Sequence, residues 1–359
     1  MIVAAFFGMA TKYSEGLLAV KYRVVAEDGH SLGGPFYYIE KGMGAKWKWL
    51  GKIFAFFGVC VGLFGIGTFS QVNGISSAVQ NFFDPDKTNC INIPFLGQYS
   101  VAVVVSSLIL AFCVAAILIG GVKRIAAVSQ IIVPFMAVIY IIFSVALIIC
   151  NITEIPNAIV TVVTAAFNPK AVTGGVVGSM IVAMQKGVAR GIFSNEAGLG
   201  SSALVHAGGS SEDAALQGMW SMVEVALDTL VCCTLTALAI LTSGALTQAD
   251  HAGAIITAAF SGIFGSAAPE VMAILTALFA FCTLIGWCCC GEQAVRYLGG
   301  ERLRLPYRLL FCLCAGIGAV VSLRSVWALS DIANGLMAIP NLLGLVLLGW
   351  RVSDRLPEK

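Results

Sequence analysis

"ARGIFSNEAGLGSSALVHAGG" (residues 189–209) sets Arg190, Asn195 and Glu196 beside a run of glycines and serines. The 359-residue chain around it is 58% hydrophobic and 11% charged. Residues 174–193 are apolar enough for half a span or more, and then "SNEAGLGSS" interrupts them. In hydrocarbon, unwound backbone is tolerated only where it is buried in protein or lines a cavity. Intramembrane charges are expensive and mark function. The stretch therefore reads as a helix broken within the membrane. The half-helix ends of such a break expose N–H groups, which attract a carboxylate, and C=O groups, which attract a cation. Gly198 and Gly200 allow close approach, and Ser194, Asn195, Ser201 and Ser202 offer side-chain hydrogen bonds. The competing reading is a cytoplasmic loop that starts early, although loops seldom place such residues between two apolar arms.

A mean hydropathy of +0.91 excludes a soluble core, because soluble domains carry about a quarter charged residues. At about 20 apolar residues per span, spans fall near 2–22, 47–82, 100–121, 124–150, 175–207, 214–243, 269–298, 306–323 and 325–349. That is an all-α polytopic membrane protein of about nine spans in one domain, 1–359. Lys and Arg gather on one side of this alternation: Lys21 to Lys52, Lys123 and Arg124, Arg296 to Arg308, and Arg351, Arg355 and Lys359. The other side holds only Lys87, Lys170 and Arg324. By the positive-inside rule the first span ends in the cytoplasm, and so does the chain.

Of 12 cysteines only Cys90 falls outside an apolar span, which argues against a disulfide framework. "WCCCGE" (287–292) and "CLC" (312–314) have no neighbouring histidine, since His30, His206 and His251 lie far apart. Small apolar packing residues are the better reading than a transition-metal site. The opening helix has no charged n-region and no cleavage site, so it is not a signal peptide. Segment 47–82 exceeds what a bilayer needs and is expected to tilt or protrude, while Gly58 and Gly62 have small-xxx-small spacing for close helix packing. Pro134 and Pro340 lie inside apolar runs, where they predict kinks. The shorter stretches 155–169 and 251–265 read as interfacial or gating helices on the outer side.

"ARGIFSNEAGLGSS", "GMATKYSEGLLAVKYR", "GGPFYYIEKGMG" and "TLIGWCCCGE" together resemble the blocks of the alanine or glycine:cation symporter family. The likeness spans nearly the whole chain. It implies a LeuT-type bundle of two inverted five-helix repeats in the inner membrane of a prokaryote. It also implies sodium-coupled uptake of alanine or glycine, no cofactor, and a pocket between two broken helices. In that frame 174–350 is a second repeat opened by the broken helix at 175–207, and 1–150 is a first repeat that lacks its opener. The expectation is an N-terminally truncated chain, from a shortened gene or a misassigned start, that does not transport by itself.

The resemblance also suggests roles. Gln71 and Asn73 lie on a helix passing the central site, with Gln71 facing substrate. Phe193, Ser194, Asn195, Gly198 and Trp287 join them as substrate-binding candidates. Thr283 is the candidate sodium ligand. Cys282 stands where the family usually has a hydroxyl, and a thiol is a poor ligand for a hard cation, so proton coupling stays open. Interhelical hydrogen bonding is the structural alternative for Gln71 and Asn73, and a lipid-facing interfacial aromatic is that for Trp287. Glu224 and Asp228 share a helix face, as do Lys186 and Arg190, and mutual neutralisation between the two pairs is expected. Glu15 is expected to pair locally with Lys12, and Glu292 to lie near Arg296. No GxxxxGK[ST] loop and no HExxH is present, and no histidine is placed to activate a serine, which disfavours an ATP-driven pump or a membrane enzyme. The polar groups cluster at one depth rather than lining a channel, and nothing suggests a nucleic-acid partner.

Overall fold

The computed structural model describes all residues except 27, 28, 30, 85, 94–96, 168–174, 249–251, 322 and 354–359. Lys170, Arg355, Lys359, His30 and His251 of the sequence reading lie outside the described residues. The chain is mostly helical. The first half holds α1 (Ile2–Lys21), α2 (Pro35–Gly42), α3 (Lys48–Phe64), α4 (Phe69–Phe83), α5 (Val101–Ile119), α6 (Gly121–Cys150) and the short α7 (Ile155–Phe167). The second half holds α8 (Gly175–Asn195), α9 (Ser201–His206), α10 (Ala214–Val225), α11 (Thr234–Thr242), α12 (Ala252–Phe264), α13 (Ala268–Gly299), α14 (Arg304–Ile317) and α15 (Leu323–Ser353). Ala226–Cys233, between α10 and α11, is π-helical.

The all-α expectation needs one amendment. Two antiparallel hairpins stand outside the bundle, β1 (Val24–Val25) with β2 (Ser31–Leu32) and β3 (Cys90–Ile93) with β4 (Gly97–Ser100). Both sit in connections, where polar residues and glycines interrupt the apolar runs.

Among the described residues, seven helical runs are long and apolar enough to cross a membrane, against the nine expected. The other two expected spans, α1 and α8–α9, are helical but carry Lys12, Glu15, Lys186, Arg190 and Glu196. These charges lower their apolarity. Segment 47–82 is not one long tilted helix: it breaks between α3 and α4 at residues 65–68. Gly67 N–H donates to Val61 O, Thr68 Oγ1 donates to Gly62 O, and Gln71 Nε2 donates to Ile66 O. Those bonds satisfy backbone that the helix ladder has released, as a dry interior requires. Pro134 and Pro340 lie inside helices that continue past them.

α1 runs antiparallel to α10, because Gly8 lies against Val225 and Gly16 against Gly218 and Ser221. A Cβ on Gly16 would stand 2.2 Å from Ser221 Oγ, and one on Gly218 would stand 2.9 Å from the Tyr13 carbonyl oxygen. Small residues therefore set this spacing, as in membrane helix pairs generally. Gly58 and Gly62 play the same part between α3 and α13: Gly58 faces Ala294, and Gly62 and Gly291 seat the Tyr307 hydroxyl.

Phe36, Phe54, Leu199, Leu204, Trp287 and Met337 form a buried cluster beneath the 196–200 break. Cys288 and Cys314 pack with Leu284, Phe311 and Val114 in the largest core, and Cys290 packs beside Trp287. In both places the cysteines act as small apolar residues. Glu292 is held by Arg304 and Arg308, with Arg308 Nε 2.6 Å from Glu292 Oε2, whereas Arg296 pairs with Glu301. Glu292 stands one turn before Arg296 on α13, as expected, but its ion pairs are to Arg304 and Arg308 on the next helix.

Candidate functional site

The break between α8 and α9 has the unwound backbone that its sequence foretells. Glu196 adopts φ +56°, Gly198 +88° and Gly200 +82°. Its amides, however, are not free to receive a ligand carboxylate. Glu15, fully buried, accepts from the backbone nitrogens of Gly198 and Gly200 at 3.1 Å each. Asn341 Nδ2 donates to the same oxygen at 2.6 Å and to Gly198 O at 2.9 Å, and Tyr38 donates to Asn341 Oδ1. Ala197 N–H is taken by Asn195 Oδ1, and Leu199 N–H by Glu196 O. Glu15 therefore closes the break from α1, rather than pairing locally with Lys12. Asn341 ties α15 to the same point.

Beside the break lies a cavity of about 230 Å³, lined among others by Lys12, Glu196, Ser201, Glu224, Thr283 and Trp287. Trp287 Nε1 donates to Glu196 Oε1 at 2.9 Å, and Ser201 Oγ donates to Glu196 Oε2 at 2.5 Å. Across from them Lys12 Nζ stands 3.4 Å from Glu224 Oε2, and His206 Nε2 stands 3.0 Å from Glu224 Oε1. Gln217 Nε2 reaches the other ring nitrogen of His206 at 2.5 Å. The cavity thus brings one ammonium and two carboxylates together, with Lys12 buried, Glu196 partly buried and Glu224 about half exposed.

The remaining sequence candidates scatter around this centre. Thr283 lines the cavity while its hydroxyl bonds Phe279 O at 3.1 Å; Cys282 is buried and is not part of that lining. Gln71 closes the 65–68 break, next to which Gly67 lies against Trp287 Cβ. Asn73 turns away, donating to Val321 O at 3.1 Å. Phe193 packs in the cluster that contains Trp287, but its ring meets Trp327 at 4.9 Å. Ser194 Oγ donates to both oxygens of Asp228, at 2.9 and 2.8 Å, and Asn195 Nδ2 donates to Thr229 Oγ1 at 3.0 Å. The π-helical turn presents those two partners, as π-bulges often do at functional sites.

The expected neutralisation of Lys186 and Arg190 by Glu224 and Asp228 is not formed. Arg190 pairs with Asp331 at 3.4 Å and lies over the Trp327 ring at 4.6 Å, while Lys186 is exposed. Shared spacing on each helix is present, but the two faces turn to different neighbours. Sequence reading missed Glu15, Lys12, His206 and Asn341 as site residues. The available signal was a carboxylate and an amide inside apolar helices, which hydrocarbon tolerates only with partners.

The sequence model of the sodium:alanine symporter family matches residues 1–357. The chain is 44% identical over 349 residues to an uncharacterized transporter of Haemophilus influenzae, covering 96% of this chain and 73% of that protein. It is 40% identical over 353 residues to the sodium/alanine symporter AgcS of Methanococcus maripaludis, covering 97% and 74%. It is 36% identical over 362 residues to the probable sodium/glutamine symporter GlnT of Bacillus subtilis, covering 100% and 70%. A polytopic bundle with a charged cavity at a helix break, matched along its length to such transporters, belongs to the sodium:alanine symporter family.

Proposed function

We propose that the protein carries a small neutral amino acid, alanine or glycine, into the cell together with sodium. The observation that carries this reading is the cavity at the 196–200 break, in which Lys12 faces Glu196 and Glu224. A zwitterion presents both signs of charge in one small body, and this lining offers a partner for each. The Lys12 ammonium draws the substrate carboxylate away from Glu224, and the Glu196 carboxylate receives the substrate ammonium. Because Glu15 already occupies the Gly198 and Gly200 amides, carboxylate recognition falls to Lys12. The Trp287 indole walls the side-chain end. Sodium, a hard cation that prefers oxygen, finds Thr283, Ser201 and Ser202 hydroxyls in the same lining.

The LeuT-type reading draws support from the placement of short helices. α2 follows the C-terminal end of α1, and α12 follows that of α11, at opposite ends of the antiparallel α1–α10 pair. Two repeats of inverted orientation, 1–150 and 174–350, would account for that placement, and the Lys/Arg distribution supports a cytoplasmic C-terminus. Proton coupling is the second reading, favoured by the chain of Lys12, Glu224, His206 and Gln217 at the cavity edge.

Uptake of labelled alanine by proteoliposomes containing the protein separates the two. Accumulation driven by an inward sodium gradient and lost in choline supports sodium coupling. Equal uptake in choline that needs a pH gradient overturns sodium in favour of protons.

A further inference from the structure

A second cavity, of about 280 Å³, lies between α4, the β3–β4 hairpin and the junction of α14 with α15. One face of α4 supplies its wall: Asn73, Ser76, Ser77 and Gln80 recur at helical spacing, a polar stripe in an otherwise apolar span. The hairpin is fastened over it by Tyr99, whose hydroxyl donates to Val320 O at 2.8 Å. Gln98 and Lys87 complete the rim. Ser76 is 2% exposed, and its hydroxyl lines this space without a hydrogen-bond partner. A buried hydroxyl left unpaired costs about 1–3 kcal/mol, which a guest in this space that bonds Ser76 would recover.

The charges decide the class of occupant. The neighbouring acid, Asp84, is engaged: Ser100 Oγ donates to it at 2.5 Å and Thr88 N–H at 2.8 Å. Lys87 forms no ion pair among the described residues and is the sole charged group in the lining. One ammonium neutralises one negative charge, while the amides of Asn73, Gln80 and Gln98 both donate and accept. A dianion would be half neutralised, and an apolar guest would leave Ser76 unpaired. We propose that this cavity is an outer binding site for a small zwitterion, with its carboxylate on Lys87 and Ser76 and its ammonium on the amide oxygens. The identity of that zwitterion as the transported amino acid rests on the function proposed above. α4 then links two sites, since its first residues leave the 65–68 break beside Trp287 and its far end reaches Lys87.

Equilibrium binding of labelled L-alanine to the purified full-length protein, in sodium, tests this. The wild type is expected to bind two molecules per chain, Lys87→Gln one, Trp287→Ala one, and the double variant none. Ser76→Ala is expected to weaken the outer site severalfold with a melting temperature, in the absence of alanine, no lower than the wild type's, which separates binding from folding. One molecule per wild-type chain, unaffected by Lys87→Gln and Ser76→Ala but lost in Trp287→Ala, overturns the outer site and leaves the transport reading standing. One molecule lost in Lys87→Gln but kept in Trp287→Ala supports the outer site and removes the central one. No alanine bound at all overturns both.

Discussion

The Glu15 carboxylate lies 3.1 Å from the backbone nitrogen of Gly200, a residue 185 positions away, and with Gly198 it completes the turn that a continuous helix would have closed by itself. A broken helix in lipid is stable only when its released amides find acceptors. Here that acceptor comes from another helix, so the break and α1 form one unit.

Glu15→Ala leaves two buried N–H groups without an acceptor, at about 1–3 kcal/mol each. The variant is expected to melt well below the wild type in detergent, whereas Glu15→Gln, which keeps an acceptor oxygen, recovers most of the loss. Equal melting of Glu15→Ala and wild type would show the contact to be idle.

Trp287→Phe keeps the apolar wall and removes the Nε1 donor to Glu196. A hydrogen bond to a charged group contributes about 1.5–3 kcal/mol to stability, so the melting temperature is expected to fall, and alanine binding is expected to weaken severalfold because Glu196 is no longer held in place. Unchanged affinity would return Trp287 to a packing role.

Gly218→Ala drives a methyl group to 2.9 Å from the Tyr13 side chain and from its carbonyl oxygen. Backbone cannot swing aside as a side chain can, and overpacking of this kind costs about 1–3 kcal/mol. Reduced folded yield and a lower melting temperature are the expected readouts. Wild-type values would mean that α1 and α10 are not in such close contact.

The hydrogen bond from Ser100 holds the Asp84 carboxyl below its ordinary range, against an upward push from burial and with lesser help from Thr88. A depressed carboxyl contributes stability that is complete above its ordinary pKa, about 3.9, and lost as pH falls through the lower folded value. Hydrogen exchange, corrected for intrinsic rates, is expected to show protection of residues 88–93 and 97–100 at pH 7 that fades in strong acid. Asp84→Ala is expected to lack that protection at every pH. Equal protection in the variant at pH 7 would remove Asp84 from the account.

The break at 196–200 was legible because polar residues and glycines interrupt an apolar run, a local pattern with few solutions in lipid. The short helices α7 and α12 were legible for a similar reason, since their apolar runs are too brief to cross. The break at 65–68 was not: Gly65 and Gly67 stand in an apolar stretch with Gly58 and Gly62, and a glycine that unwinds looks like one that packs. Lys186 and Arg190 show the further limit, because helical spacing tells which residues share a face but not which neighbour that face meets. Glu15 and Asn341 carried a visible anomaly, a polar group in an apolar helix, without any local sign of the partner.

The π-helical turn at Ala226–Cys233 makes chain length itself part of the site. A π-turn holds one residue more than the α-turn it replaces, and that surplus brings Asp228 and Thr229 to Ser194 and Asn195. Deleting any one residue of 226–233 would let the ladder heal into a regular α-helix with every backbone bond made. The mended helix would keep α10 and α11 in line, because the π-turn holds its extra residue within one turn, but residues 226–233 would be re-phased, and Asp228 and Thr229 would no longer meet Ser194 and Asn195. A loop elsewhere in the chain can lose a residue and close over the gap; this helix can gain regularity only by losing its aim.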